Sequence, residues 1–150
     1  MMPPTPAAEL EVAWGERVRA NRAQAERLRE SRTDDHYAPV TNLFVADPRR
    51  TGEPALDRLL ELASADATWL DIGAGAGRYA LPLALRVREV IAVEPSDGMR
   101  RALRTGLAEH GIGNVRVVPG TWPEALDELG DLPAADMALI AHVGYDIEGI

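Results

Sequence analysis

Short apolar runs alternate along the chain with segments whose apolar positions recur at helical spacing. Each run is almost wholly apolar, which is typical of a strand buried on both faces of a parallel sheet. The four runs cover residues 68–72, 90–94, 115–118 and 137–143. The helical segments between them cover residues 79–87, 97–110 and 123–129. Strands that alternate with helices in this way predict an α/β fold with parallel strands and right-handed crossovers.

A longer segment with helical periodicity precedes the first apolar run, over about residues 9–32. The apolar face of this predicted helix consists of Leu10, Trp14, Val18, Ala25 and Leu28. A second helix is predicted to begin at Pro54, because proline suits the first helical position. We therefore divide the chain into an N-terminal helical extension, residues 1–50, and a sheet domain, residues 51–150. The extension is expected either to pack on the sheet domain or to form a lid over its active site.

The composition restricts the classes of function. The 150 residues carry a net charge of −8, so the chain lacks the overall positive field of a typical nucleic-acid-binding protein. It has no cysteine, and His36, His110 and His142 are far apart in the sequence, so no metal site is expected. No apolar run approaches the ~18 residues that span a membrane, and no signal peptide is recognised. We expect a cytoplasmic protein that has no membrane partner.

The junction between the first strand and the next helix carries the pattern that points to chemistry. Asp71 stands near the end of the strand, and Gly73, Gly75 and Gly77 occupy alternate positions of the turn. Glycine tolerates positive φ and lets a backbone approach a ligand, and a helix N-terminus presents free N–H groups. The pattern indicates either nucleotide binding or only a tight strand–helix turn. It departs from the dinucleotide fingerprint G-x-G-x-x-G, whose third glycine would fall at Arg78.

The spacing D-x-G-x-G-x-G resembles motif I of the class I S-adenosylmethionine-dependent methyltransferases. The resemblance covers about residues 55–146 and includes Glu94 at the end of the second strand, the loop after the third strand and the end of the fourth. It implies a Rossmann-like doubly wound parallel sheet with the order 3-2-1-4 for these strands, preceded by N-terminal helices. It also implies S-adenosylmethionine as the cofactor and methyl transfer to an acceptor that the sequence does not identify.

The resemblance assigns roles to residues at the carboxyl ends of the strands. Glu94 would accept hydrogen bonds from the two ribose hydroxyls, and the glycines would let the backbone lie against the methionine part of the cofactor. Asp71 would hold the amino group of the cofactor, directly or through water, or it would instead cap the following helix. The candidate cofactor-binding residues are Asp71, Gly73, Gly75, Gly77, Glu94, Pro95, Thr121, Trp122 and His142.

The residues after the third and fourth strands have more than one possible role. Thr121 stands where the family often has an acid that bonds the adenine amino group, so this contact is expected to be weaker here. Trp122 either meets the adenine with its backbone N–H and indole or packs in the core. The resemblance puts His142 beside the methionine part of the cofactor. His142, as a general base, and Tyr145 are the only candidates for a catalytic role, which otherwise stays unassigned.

Two alternative functions remain open from the sequence. The chain could be a non-catalytic module that binds the cofactor or a protein partner, or a nicotinamide-dependent oxidoreductase, which Arg78 argues against. The family's sheet has more strands than the four in this chain, so we expect the front half of a longer protein. We also expect this fragment to self-associate, because its fourth strand would present an unpaired apolar edge.

Overall fold

The structure, a computed structural model, describes residues 6–28, 35, 37–130, 134–143 and 147–148. The chain forms two compact units. One unit combines residues 1–34 with residues 142–150, and the other consists of residues 35–141.

The first unit contains the N-terminal helix α1, Pro6–Leu28. Trp14 Nε1 donates a hydrogen bond to the Ile147 carbonyl over 2.7 Å, and Arg19 and Arg22 form ion pairs with Glu148 at 3.0 and 2.9 Å. The helix that we predicted over about residues 9–32 is therefore present and begins three residues earlier, at Pro6. Residues 29–32 lie outside the described part of the chain.

The second unit contains a sheet of four parallel strands. These are β1 Thr68–Ile72, β2 Glu89–Glu94, β3 Val115–Pro119 and β4 Met137–Ile140. Their order in the sheet is β3-β2-β1-β4, and Leu70 in β1 lies opposite Ile91 in β2 and Ala138 in β4. The predicted doubly wound strand order is confirmed. Because the chain reverses direction across the sheet at β1, the carboxyl end of β1 is the position at which such folds bind ligands.

Among the residues that the structure describes, two helices precede the first strand of this unit, and three follow its strands. They are a 3₁₀ helix Ala38–Leu43 and the α-helices α2 Pro54–Leu62, α3 Ala80–Ala84, α4 Asp97–His110 and α5 Ala125–Leu129. Helix α4 begins where the sequence predicts, since Ser96 Oγ accepts a hydrogen bond from the Met99 N–H at 3.1 Å. It ends at Gly111, which has the left-handed φ of 65° that favours glycine.

Helix α3 is shorter than the predicted helix 79–87 and ends at Ala84. Pro82 lies within it and has no N–H to donate to the carbonyl of Arg78, four residues earlier. In place of that N–H, the guanidinium of Arg50 donates to the Arg78 carbonyl through Nη2 at 2.8 Å. The helix that contains Pro82 therefore has only five residues. Strand β4 is likewise shorter than predicted, since it ends at Ile140 and not at Val143.

The core lies on the sheet and is dominated by its central strands. All five residues of β1 are buried, as are five of the six residues of β2. Leu56 of α2, Leu83 of α3 and Leu103 of α4 are fully buried in the same core. Within the part of the chain that is described, no helix combines the length and apolar character needed to cross a membrane.

Residues 35–50, which we assigned to the N-terminal extension, belong to the same compact unit as the sheet. Here the 3₁₀ helix packs directly against the first turn of α4. A Cβ atom added to Gly98 would lie 2.7 Å from Ala38 Cα, so only glycine allows this close approach. The lid function proposed for the extension stays a prediction.

We expect the 150-residue chain to self-associate through β4, since this strand is at the edge of the sheet among the described residues. Met137 and Ile140 on it are 37% and 38% exposed, and an apolar edge with unpaired backbone groups is a template for pairing. Light scattering should give a mass above that of the monomer, and Ile140→Lys should lower it. Leu126→Lys, at an exposed position of α5, is the matched control. A monodisperse wild-type monomer would contradict this expectation.

Candidate cofactor-binding site

The glycine turn lies at the carboxyl ends of β1 and β2. The N–H groups of Gly73 and Ala74 both donate to the Val93 carbonyl, at 2.8 and 3.1 Å. These two bonds hold the start of the turn against β2. The turn therefore has a fixed position between the two central strands.

The three glycines of the turn have positive φ, as the sequence predicts, but they serve different purposes. Their φ values are 75°, 57° and 91° for Gly73, Gly75 and Gly77. A Cβ on Gly77 would lie 2.6 Å from Leu103 Cδ1 and 2.8 Å from Leu81 Cγ, so this glycine allows close packing of the turn on α3 and α4. A Cβ on Gly75 would meet nothing within 4 Å. Gly75 therefore borders open space in which a ligand can approach the backbone.

Asp71 is a buried carboxyl group with one unused oxygen. Its side chain is 2% exposed and accepts a hydrogen bond from the Ala80 N–H, the first residue of α3. This contact corresponds to the alternative role of a helix cap. The second oxygen, Oδ2, is buried and has no hydrogen-bond partner among the described residues. Burial, and secondarily the nearby charge of Glu94, raises the pKa of Asp71 to about 7.

Glu94 is buried beside Asp71 and is held by two backbone N–H groups. Its Oε2 accepts from the Gly75 N–H at 2.7 Å, and its Oε1 accepts from the Ser96 N–H at 2.8 Å. Burial raises the pKa of Glu94, and the two hydrogen bonds oppose the rise because they stabilise the charged form. Each carboxylate oxygen can accept a further hydrogen bond. The group is therefore fixed in position and retains capacity for two hydroxyl donors.

Pro95 lies at the exposed start of the loop that leads from β2 into α4. The Arg100 guanidinium donates through Nη1 to the carbonyls of Glu94 and Pro95, at 2.8 and 2.6 Å. Arg100 also pairs with Asp97 in the first turn of the helix. These contacts orient the backbone at the end of β2, from which the side chain of Glu94 projects.

Thr121 and Trp122 follow β3 at the same edge of the sheet. Thr121 is exposed, and its hydroxyl donates to Glu124 Oε2 at 2.7 Å. The hydroxyl thus brings a carboxylate, three residues further along, into the loop where the family often has an acid. Trp122 is half-buried, and its peptide bond to Pro123 is cis. It is neither fully buried, as a core tryptophan would be, nor fully exposed.

The two candidates for a catalytic role lie beyond β4. His142 belongs to the first compact unit, is exposed, and has a φ of 62°. Tyr145 lies outside the described part of the chain. The structure thus brings together Asp71, the glycine turn and Glu94 within the sheet unit. His142 belongs to the other compact unit.

Two groups of contacts around the glycine turn were missed by the sequence analysis. Glu53 pairs with Arg50 at 2.8 Å and with Arg78 at 2.9 Å, and it thereby joins the loop before α2 to the residue after the last glycine. Pro82 was the one signal for the contact of Arg50 with Arg78, because it leaves the Arg78 carbonyl without its helical partner. Asp35 contacts Ser96 and Gly98 at the start of α4, and no feature of the sequence indicated that long-range contact.

Comparison with known proteins identifies the family. A family model described as "Methyltransferase domain" matches residues 70–145. The probable cobalt-precorrin-6B C(15)-methyltransferase (decarboxylating) of Methanothermobacter thermautotrophicus is 31% identical over 113 residues. A tRNA/tmRNA (uracil-C(5))-methyltransferase of Azotobacter vinelandii is 35% identical over 86 residues. These matches cover 71% and 57% of this chain but only 57% and 24% of the respective relatives.

A solved structure agrees with these relatives. The precorrin 8w decarboxylase of Methanobacterium thermoautotrophicum superimposes with a TM-score of 0.53 at 29% identity, over 69% of this chain and 57% of that one. The residues matched by the family model include Asp71, all three glycines of the turn and Glu94. Because the model matches half of the sequence and the fold agrees, the chain belongs to the methyltransferase-domain family of class I S-adenosylmethionine-dependent methyltransferases.

Proposed function

We propose that this chain binds S-adenosylmethionine at the carboxyl ends of β1 and β2 and serves methyl transfer to an acceptor. One observation carries the proposal. Two carboxylates, Asp71 and Glu94, are buried side by side around a turn of positive-φ glycines, and one Asp71 oxygen lacks a hydrogen-bond partner among the described residues. A buried unsatisfied carboxylate oxygen is costly, and a bound cation would offset that cost.

The residues present fit the cofactor of the family. Glu94 would accept hydrogen bonds from the ribose hydroxyls with the lone pairs that Gly75 and Ser96 leave available. Asp71 would pair with the ammonium group, and the open side of Gly75 would border the methionine part. In the loop after β3, Glu124 offers a carboxylate beside Thr121 for the adenine amino group, and the indole of Trp122 is partly accessible.

When bound, S-adenosylmethionine supplies the activated methyl group. The contribution of the protein is then to hold the acceptor and the methyl donor in line and to exclude water, which needs no protein nucleophile. Roles for His142 and Tyr145 in this step stay predictions, as does a cytoplasmic location. The two named relatives act on different acceptors, a precorrin and a tRNA uracil, and what their names share is methyl transfer.

Binding of S-adenosylhomocysteine, measured by titration calorimetry, tests the proposal directly. Glu94→Gln should weaken binding by ~1.5–3 kcal/mol, the scale of a hydrogen bond to a charged group, since the variant keeps the shape but loses the charge. Glu89→Gln is the matched control, because Glu89 lies at the opposite end of the same strand. Unchanged affinity in a folded Glu94→Gln protein would remove Glu94 from the ribose site. A wild-type chain that binds no S-adenosylhomocysteine would overturn the proposed function.

Replacing each of two glycines by alanine should separate packing from ligand binding. Gly77→Ala should lower the free energy of unfolding by about 1–3 kcal/mol, because its Cβ would overlap Leu81 and Leu103. Gly75→Ala should lower the free energy of unfolding less than Gly77→Ala does. It should weaken S-adenosylhomocysteine binding, since its Cβ would occupy the open space. Urea unfolding and calorimetry measure the two effects. Normal binding by folded Gly75→Ala would show that this side of the turn does not face the ligand.

The raised pKa of Asp71 predicts a stability that depends on pH. The pKa is about 7 in the folded protein against 3.8 for an ordinary aspartate, so the folded state holds an extra proton between these pH values. The free energy of unfolding therefore falls as the pH rises through this window, by up to about 4 kcal/mol for a shift of this size. The Asp71→Asn protein should lose most of this dependence, whereas Asp66→Asn, at an exposed turn, should keep it.

Urea unfolding of these Asp71 and Asp66 variants at pH 5 and pH 8 measures the effect. Some dependence should persist in Asp71→Asn, because burial raises the pKa of Glu94 as well. An identical pH dependence in wild type and Asp71→Asn would show that Asp71 does not titrate in this range.

A further inference from the structure

A carboxylate from the segment before the sheet, Asp35, lies at the start of α4. Its Oδ2 accepts from the Gly98 N–H at 2.7 Å, and its Oδ1 accepts from the Ser96 hydroxyl, also at 2.7 Å. The N–H groups of Tyr37 and Ala38 donate to Oδ1 as well, at 3.1 and 3.2 Å. The pKa of Asp35 is lowered, chiefly by the Gly98 hydrogen bond, so the group is a carboxylate at neutral pH. Asp35 therefore joins the beginning of the 3₁₀ helix to the beginning of α4.

Ser96 connects Asp35 to Glu94. The Ser96 N–H donates to Glu94 Oε1 at 2.8 Å, and the Ser96 hydroxyl donates to Asp35 while accepting from the Met99 N–H. A serine hydroxyl has a single proton, so its direction is set by Asp35. Ser96 is itself buried. Ser96 is thus hydrogen-bonded to two carboxylates. The direction of the N–H that Ser96 donates to Glu94 depends on the position in which Asp35 holds Ser96.

The position of Asp35 is supported by packing of the backbone. The 3₁₀ helix approaches α4 so closely that a Cβ on Gly98 would lie 2.7 Å from Ala38 Cα and 3.0 Å from Ala38 Cβ. A displacement of Ala38 would therefore displace the first turn of α4 as well. Through Ser96, it would also change the direction of the N–H that holds Glu94.

We propose that Asp35 is a positioning residue for the cofactor: through Ser96 it holds Glu94 in the orientation that receives the ribose hydroxyls. The inference rests on the proposed function, since it assigns Glu94 to the ribose. In this role Asp35 acts on the ligand by way of Glu94. Its removal should therefore weaken binding of a ligand that has both ribose hydroxyls more than binding of a ligand that lacks one of them.

The experiment compares S-adenosylhomocysteine with its 2′-deoxy analogue by calorimetry on the 150-residue chain. Asp35→Ala should weaken S-adenosylhomocysteine binding about 5- to 20-fold and weaken the 2′-deoxy analogue less, as expected for groups coupled through a shared contact. Asp35→Asn, which retains an oxygen acceptor, should restore part of the affinity. Asp47→Asn is the control. Like Asp35, Asp47 accepts a hydrogen bond from the backbone N–H two residues later, that of Arg49, but it lies in a different loop, before Arg50.

A double-mutant cycle distinguishes positioning from a general loss of structure. In the Glu94→Gln background, Asp35→Ala should cost less than about twofold, because the group that it positions has lost its charge. If Asp35→Ala does not fold, Ser96→Ala provides the second variant, since it removes the hydroxyl link and keeps the N–H to Glu94. It should likewise weaken S-adenosylhomocysteine more than the 2′-deoxy analogue.

The outcomes separate this inference from the proposed function. Equal losses for the two ligands, or additive losses in the cycle, would overturn the positioning role even though the wild type binds S-adenosylhomocysteine. Unchanged affinity in folded Asp35→Ala would do the same. No binding by the wild type would overturn the proposed function first and this inference with it.

Discussion

The burial of two carboxyl groups next to each other is the constraint on which the rest of the site depends. Asp71, next to the last residue of β1, and Glu94, the last residue of β2, lie on adjacent parallel strands and are 2% and 5% exposed. Burial alone raises the pKa of each, and their mutual repulsion raises that of Asp71 further. Such a pair is stable only if the surrounding backbone supplies hydrogen-bond donors. The turn and the two helix starts at this edge of the sheet supply them.

The donors come from backbone positions whose geometry only certain residues allow. Glu94 is satisfied by Gly75 and Ser96, and Asp71 by the first N–H of α3. Glycines at positive φ turn the chain sharply enough to direct an N–H at Glu94, and Ser96 both caps α4 and donates to the same carboxylate. One oxygen of Asp71 remains without a partner in the described part of the chain. The site is therefore nearly satisfied by the protein itself, and the remaining unsatisfied oxygen favours a ligand that brings a donor or a positive charge.

Residues that precede the sheet support the turn from outside. Arg50 and Glu53 hold the residue after the last glycine, where Pro82 has removed a helical hydrogen bond. Asp35 holds the start of α4 in a corresponding way. The contacts of Arg50 and Glu53 with Arg78, and that of Asp35 with Gly98, each join positions more than 20 residues apart in the sequence. The segment before the sheet is thus part of the architecture of the site and not only a connection to it.

The sequence by itself determined the four strands, the order in which helices follow them, and the residues at the carboxyl ends of β1 and β2. It could do so because these features depend on local properties: apolar runs, the φ range of glycine, and capping by Ser96 and Gly111. It did not determine that Gly77 serves packing while Gly75 faces open space, since both have the same local pattern. Nor did it reveal the contacts of Asp35 and Arg50. Only the tertiary structure decided these points, because they depend on which distant backbone groups come within hydrogen-bonding or packing distance once the chain has folded.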